Sequence, residues 1–305
     1  MATFYDFNLV DSDSVGASMR KIIERAAKLG YEYVAVDHKI FKLDRKTKIP
    51  PAPETIDPDW KCDPLKVKGR GLHSLKRLTA TLHDAAQTIA LRSDSILTYD
   101  LLAVRPTNEK MFHKACTELE IDIISCDITT RLPFFFKHHS IKPAIERGVH
   151  FEICYSPAIR DASLRKSIFH NALTLVAACK GKNIILSSDA GNVMDLRGPH
   201  DVANLGHLFG LTEDQAKAAV SSNCRAVLMH AVTRNTTIKS AISIQRVIDL
   251  APEDIWKVKA SLDASSQSLE HVKQQSVETE KQNLKRAAFG LSKTGSQPEE
   301  KKQKR

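Results

Sequence analysis

Through most of the first 234 residues, short apolar runs alternate with longer segments in which apolar residues recur every three or four positions. The runs are Phe4 to Leu9, Tyr33 to Asp37, Leu78 to Leu82, Leu101 to Val104, Ile121 to Ser125, Phe151 to Tyr155 and Ile184 to Ser187. All are of strand length. Between them Met19, Ile22, Ile23, Ala26 and Ala27 form one helical stripe, and Met111, Phe112, Ala115, Cys116 and Leu119 form another, so each helix has one face to bury. YVAV and IILS are apolar on both sides, which suits a parallel sheet covered by helices better than a half-exposed antiparallel one. The pattern predicts an α/β fold of about seven parallel strands, either a barrel or a doubly wound sheet. No G-x-G-x-x-G follows the first run, so the dinucleotide-binding form of the doubly wound fold lacks its phosphate turn, and the barrel is preferred.

Residues 39–74 interrupt the alternation with Pro50, Pro51, Pro53, Pro58 and Pro64 among many charges, predicting an irregular insertion on the barrel rim. Thr212 and Gln215 have the spacing of a capping box, and a second helix beginning at NCRAVL follows almost at once. This helical pair is expected to close the fold. From about residue 235 the chain turns to Ser, Thr, Gln, Glu and Lys and ends in KKQKR. The composition predicts one domain over residues 1–234 and a disordered basic tail over 235–305.

Charge is concentrated in that tail. The chain has 45 Lys and Arg against 36 Asp and Glu, a formal +9. Residues 281–305 hold eight basic and two acidic side chains and supply +6 of it. The balance favours polyanionic partners, but an argument for RNA requires local clusters. Six cysteines, none in a C-x-x-C pair, and an amino terminus without a secretory leader lead us to expect a reducing compartment. No apolar run approaches the roughly 18 residues needed to span a bilayer, so no membrane partner is expected.

Such clusters exist. Arg160, Arg165 and Lys166 surround the start of the helix after YSPA, where guanidinium groups and free amides can both approach a phosphate. Lys180 and Lys182 flank the turn before the seventh run, Arg197 follows it, and Arg225 lies in the last helix. These are expected to share one barrel end or its flank. The glycine-containing segment with Lys66, Lys68, Arg70, Lys76 and Arg77 offers a second phosphate-facing surface. Each residue alone fits equally well on a solvated face or beside Asp161, Asp195 or Asp201. Three consecutive phenylalanines, Phe134 to Phe136, cannot all face one way, so some are expected in the core and another against a protein partner.

Enzymes on such barrels work at the carboxyl-terminal strand ends, and Asp6, Asn8, Asp37, His38 and Asp189 lie at such ends. They look like remains of a polymerase-and-histidinol-phosphatase-type metal site. That superfamily's first strand carries His-x-His and a late strand Asp-x-His. Here Asp6-x-Asn8 and Asp189-Ala190-Gly191 stand instead, leaving too few ligands for two metals. Asp6, Asp37, His38 and Asp189 are therefore read as vestigial. Asp37 and Asp189 equally suit helix capping or backbone hydrogen bonds.

A broader resemblance rests on the blocks YSPAIRDASLRKS, CKGKNIILSSDA, LRGPHDVANLGHLFGL and SSNCRAVL in that order. FYDFNL, LGYEYVAVDH and RLPFFFKHHSIKPAIERG extend it. Together they resemble the TIM-barrel-like protein subunit family of eukaryotic and archaeal ribonuclease P and ribonuclease MRP. The resemblance implies a non-catalytic subunit that stabilises ribonuclease P RNA, and MRP RNA as well, in a particle that removes 5′ leaders from precursor tRNA. It implies magnesium held by the RNA and no cofactor on this chain. It further implies a small α/β protein partner with other subunits, and residence in the nucleus and nucleolus. The partner's docking patch is expected near residues 131–148. A metal-dependent phosphoesterase and a purely protein-binding scaffold are the contrasting readings.

Overall fold

Each apolar run becomes a parallel strand. A computed structural model of the chain describes residues 3–10, 17–41, 49–50 and 71–237. Its strands are β1 (Tyr5–Val10), β2 (Tyr33–Ile40), β3 (His73–Leu82), β4 (Leu101–Pro106), β5 (Ile123–Ser125), β6 (His150–Cys154) and β7 (Ile184–Ser187). They pair in sequence order, parallel throughout. The seam is nearly closed, because Val10 N–H donates to the Ala190 carbonyl at 2.9 Å and Ala190 N–H to the Asn8 carbonyl at 3.3 Å. A barrel results, as the absent glycine motif suggested. β3 begins at His73 rather than Leu78 and β2 runs to Ile40, so both margins of the 39–74 segment are strand. The remaining prolines there, Lys66, Lys68, Arg70 and residues 238–305 lie outside the described residues.

Helices cover the outside: α1 (Ala17–Leu29), α2 (Glu109–Thr117), α3 (His138–Glu146), α4 (Ser156–Arg160), α5 (Ala162–Cys179), α6 (Pro199–Leu208), α7 (Glu213–Ala219) and α8 (Ser222–Thr236). Their starts are set locally. The Asn108 side chain accepts from Met111 N–H at 2.8 Å, and that of Asp161 from Ser163 N–H at 2.8 Å. Thr212 and Gln215 make the reciprocal capping box their spacing predicts. Each such cap is worth roughly 1 kcal/mol. The α1 stripe Met19, Ile22, Ile23 and Ala26 packs on Leu9 and Val34 of the outer sheet surface. Phe112 of α2 packs with Phe134, Phe136 and Phe151.

Alternation along the strands then dictates what enters the barrel. Leu78, Ala80 and Leu82 of β3 pack outward with the helices, which turns Arg77 and Thr79 inward. Toward the amino-terminal strand ends the interior is apolar: Tyr5, Phe7, Ala35, Leu101, Ala103, Ile123 and Ile185 meet Cys224, Val227 and Ala231 of α8. α8 thus plugs that end. Asn223 of α8 donates to the Ile184 carbonyl at 2.7 Å, while His230 (2.8 Å) and Arg234 (3.0 Å) both reach the buried carboxylate of Asp122. The last helix does close the fold, by crossing the strand starts.

Above this plug lies a polar layer. Arg77 has no solvent exposure, and its guanidinium grips Glu152 with two contacts of 2.5 and 2.7 Å. It also donates to the Phe7 carbonyl at 2.8 Å and to Thr79 Oγ1 at 3.1 Å, and lies 3.4 Å from Asp37. Three strands and β1's backbone are tied through one side chain. Arg77→Ala leaves two buried carboxylates uncompensated, and we expect a loss of about 3–5 kcal/mol in urea unfolding. Removing Glu152 along with it, Arg77→Met with Glu152→Leu, should recover the part of that loss that comes from the Glu152 carboxylate, Asp37 remaining unpaired. Strictly additive losses in this double-mutant cycle would sink the assignment.

His150 gives a pH signature. Burial lowers its pKa from 6.5 to about 4, against the pull of the Gly148 carbonyl 2.9 Å from Nδ1. A base depressed in the folded state contributes stability above pH 6.5 that is lost as pH falls toward 4. His150→Gln should therefore become more stable relative to wild type by up to about 3 kcal/mol between pH 7 and 4. Parallel pH–stability curves for the two proteins would contradict this.

Candidate functional site

The carboxyl-terminal mouth of the barrel, where the vestigial ligands were expected, is held by cations of the chain itself. Asp37 points inward and accepts from the Thr79 hydroxyl at 2.5 Å. Strand alternation turns its neighbour His38 the other way, with its ring toward Tyr99 at 6.5 Å, so the two cannot serve one metal. Asp189 adopts a left-handed backbone (φ 58°) and pairs with Lys39 at 2.5 Å. The capping role considered for Asp37 and Asp189 is thus replaced by ion pairing. Asp6 Oδ1 accepts from the N–H groups of Ser188 (3.0 Å) and Asn8 (3.2 Å).

Burial sets the charge states here. It raises Asp37 and lifts Asp6 to about 6 despite the two amide donors. Burial would raise Glu152 too, but the Arg77 charge and hydrogen bonds overcome it and hold the carboxyl at about 2. Arg77 is itself stabilised as a cation by Glu152 and Asp37, which outweigh the cost of its burial. Asp6 Oδ2, Asn8 Oδ1 and Asp37 Oδ2 are buried without a hydrogen-bond partner among the described residues. Of these three oxygens only the two from Asp6 and Asp37 belong to carboxylates, and the charge of Asp37 is already met by Arg77. Among the described residues no three His, Cys, Asp or Glu side chains are grouped to hold a metal. The donor set does not fit the phosphatase-type centre, so no catalytic step runs through one.

Cysteine chemistry fares no better among the described residues. Cys116, Cys126, Cys154, Cys179 and Cys224 are free and buried. Burial pushes all five thiols up, that of Cys116 to about 12. None is poised as a thiolate.

The surface cations divide between the two barrel ends. Arg160, Arg165, Lys166 and Arg197 lie on segments that come after β6 and β7, at the carboxyl-terminal end. Lys180 and Lys182 precede β7, and Arg225 lies on α8, so these three belong to the opposite end. Of the expected placement on one barrel end or its flank, the shared end is corrected: a parallel strand carries the chain from one barrel end to the other, so the segments before and after β7 lie a full strand apart. Arg77 is corrected as well, since a fully buried guanidinium clamped by Glu152 presents nothing to an external phosphate. The others differ in freedom. Arg197 spends its guanidinium on the Met194 and Leu196 carbonyls at 2.7 and 2.9 Å, and Arg160 lies 3.7 Å from Asp195. Arg165 donates to the Ala158 carbonyl at 2.8 Å. Lys166, Lys180, Lys182 and Arg225 are exposed and have no ion-pair partner among the described residues.

The phenylalanine triplet behaves as strand-like alternation requires. Phe134 and Phe136 are buried against Phe112, with centroids 4.9 and 5.5 Å away, while Phe135 is 79 % exposed. Beside it the 131–136 segment and α5 enclose a cleft of about 700 Å³. Sequence reading missed Glu152, Lys39, Asp122 and Arg131. A signal existed for Glu152: a lone carboxylate within the apolar strand HFEIC requires a buried cation.

Comparison with known proteins agrees with this geometry. The family described as RNase P subunit p30 matches residues 3–236. A mouse (Mus musculus) protein called ribonuclease P protein subunit p30 is 45 % identical over 239 residues, covering 77 % of this chain and 88 % of the relative. The Saccharomyces cerevisiae ribonuclease P/MRP protein subunit RPP1 is 28 % identical over 222 residues, covering 70 % and 72 %. Among solved structures, a chain from a cryo-EM structure of archaeal ribonuclease P with mature tRNA has the same fold. Its TM-score is 0.55 at 12 % identity, over 79 % of this chain and 98 % of that one. From the seven-stranded barrel to the blocks along its rim, the chain belongs to the RNase P subunit p30 family.

Proposed function

We propose that this protein is a non-catalytic subunit of ribonuclease P, the ribonucleoprotein that removes 5′ leaders from precursor tRNA, and that ribonuclease MRP shares it. Its work is structural and electrostatic: it neutralises RNA phosphates so that a folded RNA packs closely against protein. The observation that carries the reading is the barrel mouth, where Arg77 and Lys39 stand against Glu152, Asp37 and Asp189. In that place a metal-dependent barrel enzyme would keep its carboxylates open to a metal. The exposed cations at both barrel ends supply the complementary half, since contacts to phosphate are sequence-independent and weaken steeply with salt.

On this reading the chain binds no cofactor, and magnesium belongs to the RNA. A small α/β ribonuclease P protein and further subunits are its protein partners, and the particle works in the nucleus and nucleolus. Membership of the RNase P subunit p30 family and the S. cerevisiae relative's ribonuclease P/MRP name support these assignments.

Affinity purification of the tagged chain from nuclear extract tests the proposal. A discrete structured RNA should co-purify, and precursor-tRNA cleavage by the eluate should vanish on nuclease pretreatment. Cleavage that survives nuclease would refute it. A second measurement addresses the barrel mouth directly. Purified protein with manganese or zinc should leave a generic phosphodiester intact; metal-dependent turnover abolished by Asp189→Ala would make the mouth a working active site.

A further inference from the structure

The cleft beside Phe135 is built to present an aromatic face. Flanking Phe134 and Phe136 are anchored in the core, and Asn171 of α5 donates from Nδ2 to the carbonyls of Ile128 (2.9 Å) and Thr130 (2.8 Å), fixing the backbone that leads into Arg131. Phe135 is therefore held outward by its neighbours, exposed at 79 %, on the wall of the cleft. Arg131, Lys166 and His170 line the same cleft, and no aspartate or glutamate does. Arg131 and Lys166 are exposed, and neither has an ion-pair partner among the described residues.

An aromatic face beside two unpaired cations, with hydroxyl groups at Ser167 and Thr174, matches the two parts of a nucleotide: a base to stack and a phosphate to neutralise. The volume of about 700 Å³ lies within the roughly 300–1,000 Å³ typical of small-ligand sites, too small to seat a duplex. We propose that this cleft binds one unstacked nucleotide of a single-stranded RNA segment, its base on Phe135 and its phosphates at Arg131 and Lys166. The inference rests on the reading of the chain as a ribonucleoprotein subunit and deepens it. It also reassigns Phe135: the ring expected to meet a protein partner meets RNA, because a protein's apolar patch would leave the two cations without counter-charges.

The test begins with the purified particle, irradiated with ultraviolet light, digested and analysed by mass spectrometry. A nucleotide adduct on the peptide carrying Phe135 is expected. With the full-length purified chain, affinity for an unstructured RNA oligonucleotide should fall about tenfold in Phe135→Ala with the salt dependence unchanged. In Phe135→Trp affinity should persist, and the indole fluorescence should be quenched on binding. Arg131→Gln with Lys166→Gln should instead flatten the log–log salt slope by about 1.4. Thermal unfolding of Phe135→Ala should match wild type, because the ring lies outside the core. Adducts confined to other peptides, or a Phe135→Ala affinity within twofold of wild type, would overturn the site while leaving an RNA-bound subunit intact. Loss of a protein subunit rather than of the adduct in Phe135→Ala would overturn it in favour of a peptide dock. Recovery of no RNA at all would remove the ribonucleoprotein reading along with it.

Discussion

Everything inside this barrel is arranged around one guanidinium. Arg77 reaches the centre from β3, and with no solvent exposure its charge must be met by protein. Glu152 from β6 meets it with both oxygens, Thr79 and Asp37 sit beside Nε, and the Phe7 carbonyl takes a further donor. Such an arrangement holds only if β1, β2, β3 and β6 keep their registers, because a slip by one residue would turn each of these side chains to the outer face. A buried ion pair of this kind is weak evidence of stability in itself. Its effect is on specificity: it pins which strands face one another across the barrel.

The same pair decides what the barrel mouth can do. Where barrel enzymes gather carboxylates and imidazoles around a metal or a substrate, this chain pairs Glu152, Asp37 and Asp189 with Arg77 and Lys39, holds Asp6 on two backbone amides and turns His38 outward. The opposite end is closed by α8, whose Val227 and Ala231 enter the apolar layer while His230 and Arg234 hold Asp122. One end is thus plugged by α8, and at the other the carboxylates of Glu152, Asp37 and Asp189 are ion-paired. Lys166, Lys180, Lys182 and Arg225 remain in water, on two separate faces. A rigid body with cations distributed around it suits a component that braces a folded polyanion.

Local pattern was enough to place the strands, because an apolar run of four to eight residues between helical stripes has few ways to be satisfied. It also located the α7 capping box and the last helix, whose signals are local. Family membership was legible for a similar reason: the rim blocks are contiguous words. That the phenylalanine triplet must split was legible too, though which ring faces out, Phe135, came from the structure.

The roles of the charges, by contrast, emerge only in the folded barrel. In a list of basic residues Arg77 is indistinguishable from Lys76, its neighbour on β3. Only the inward turn of that strand and the arrival of Glu152, distant in the chain, make one a core residue. Lys180, Lys182 and Arg197 look like one cluster because they are close in sequence, yet β7 runs between them and carries them to opposite ends of the barrel. Asp122 gains its meaning from a helix more than a hundred residues later. Hydrophobic periodicity is written within a few turns of chain, so sequence reveals it. The partner of a charge is chosen in three dimensions, so whether a lysine or arginine is solvent-facing, structural or free to bind is settled only once the barrel has closed.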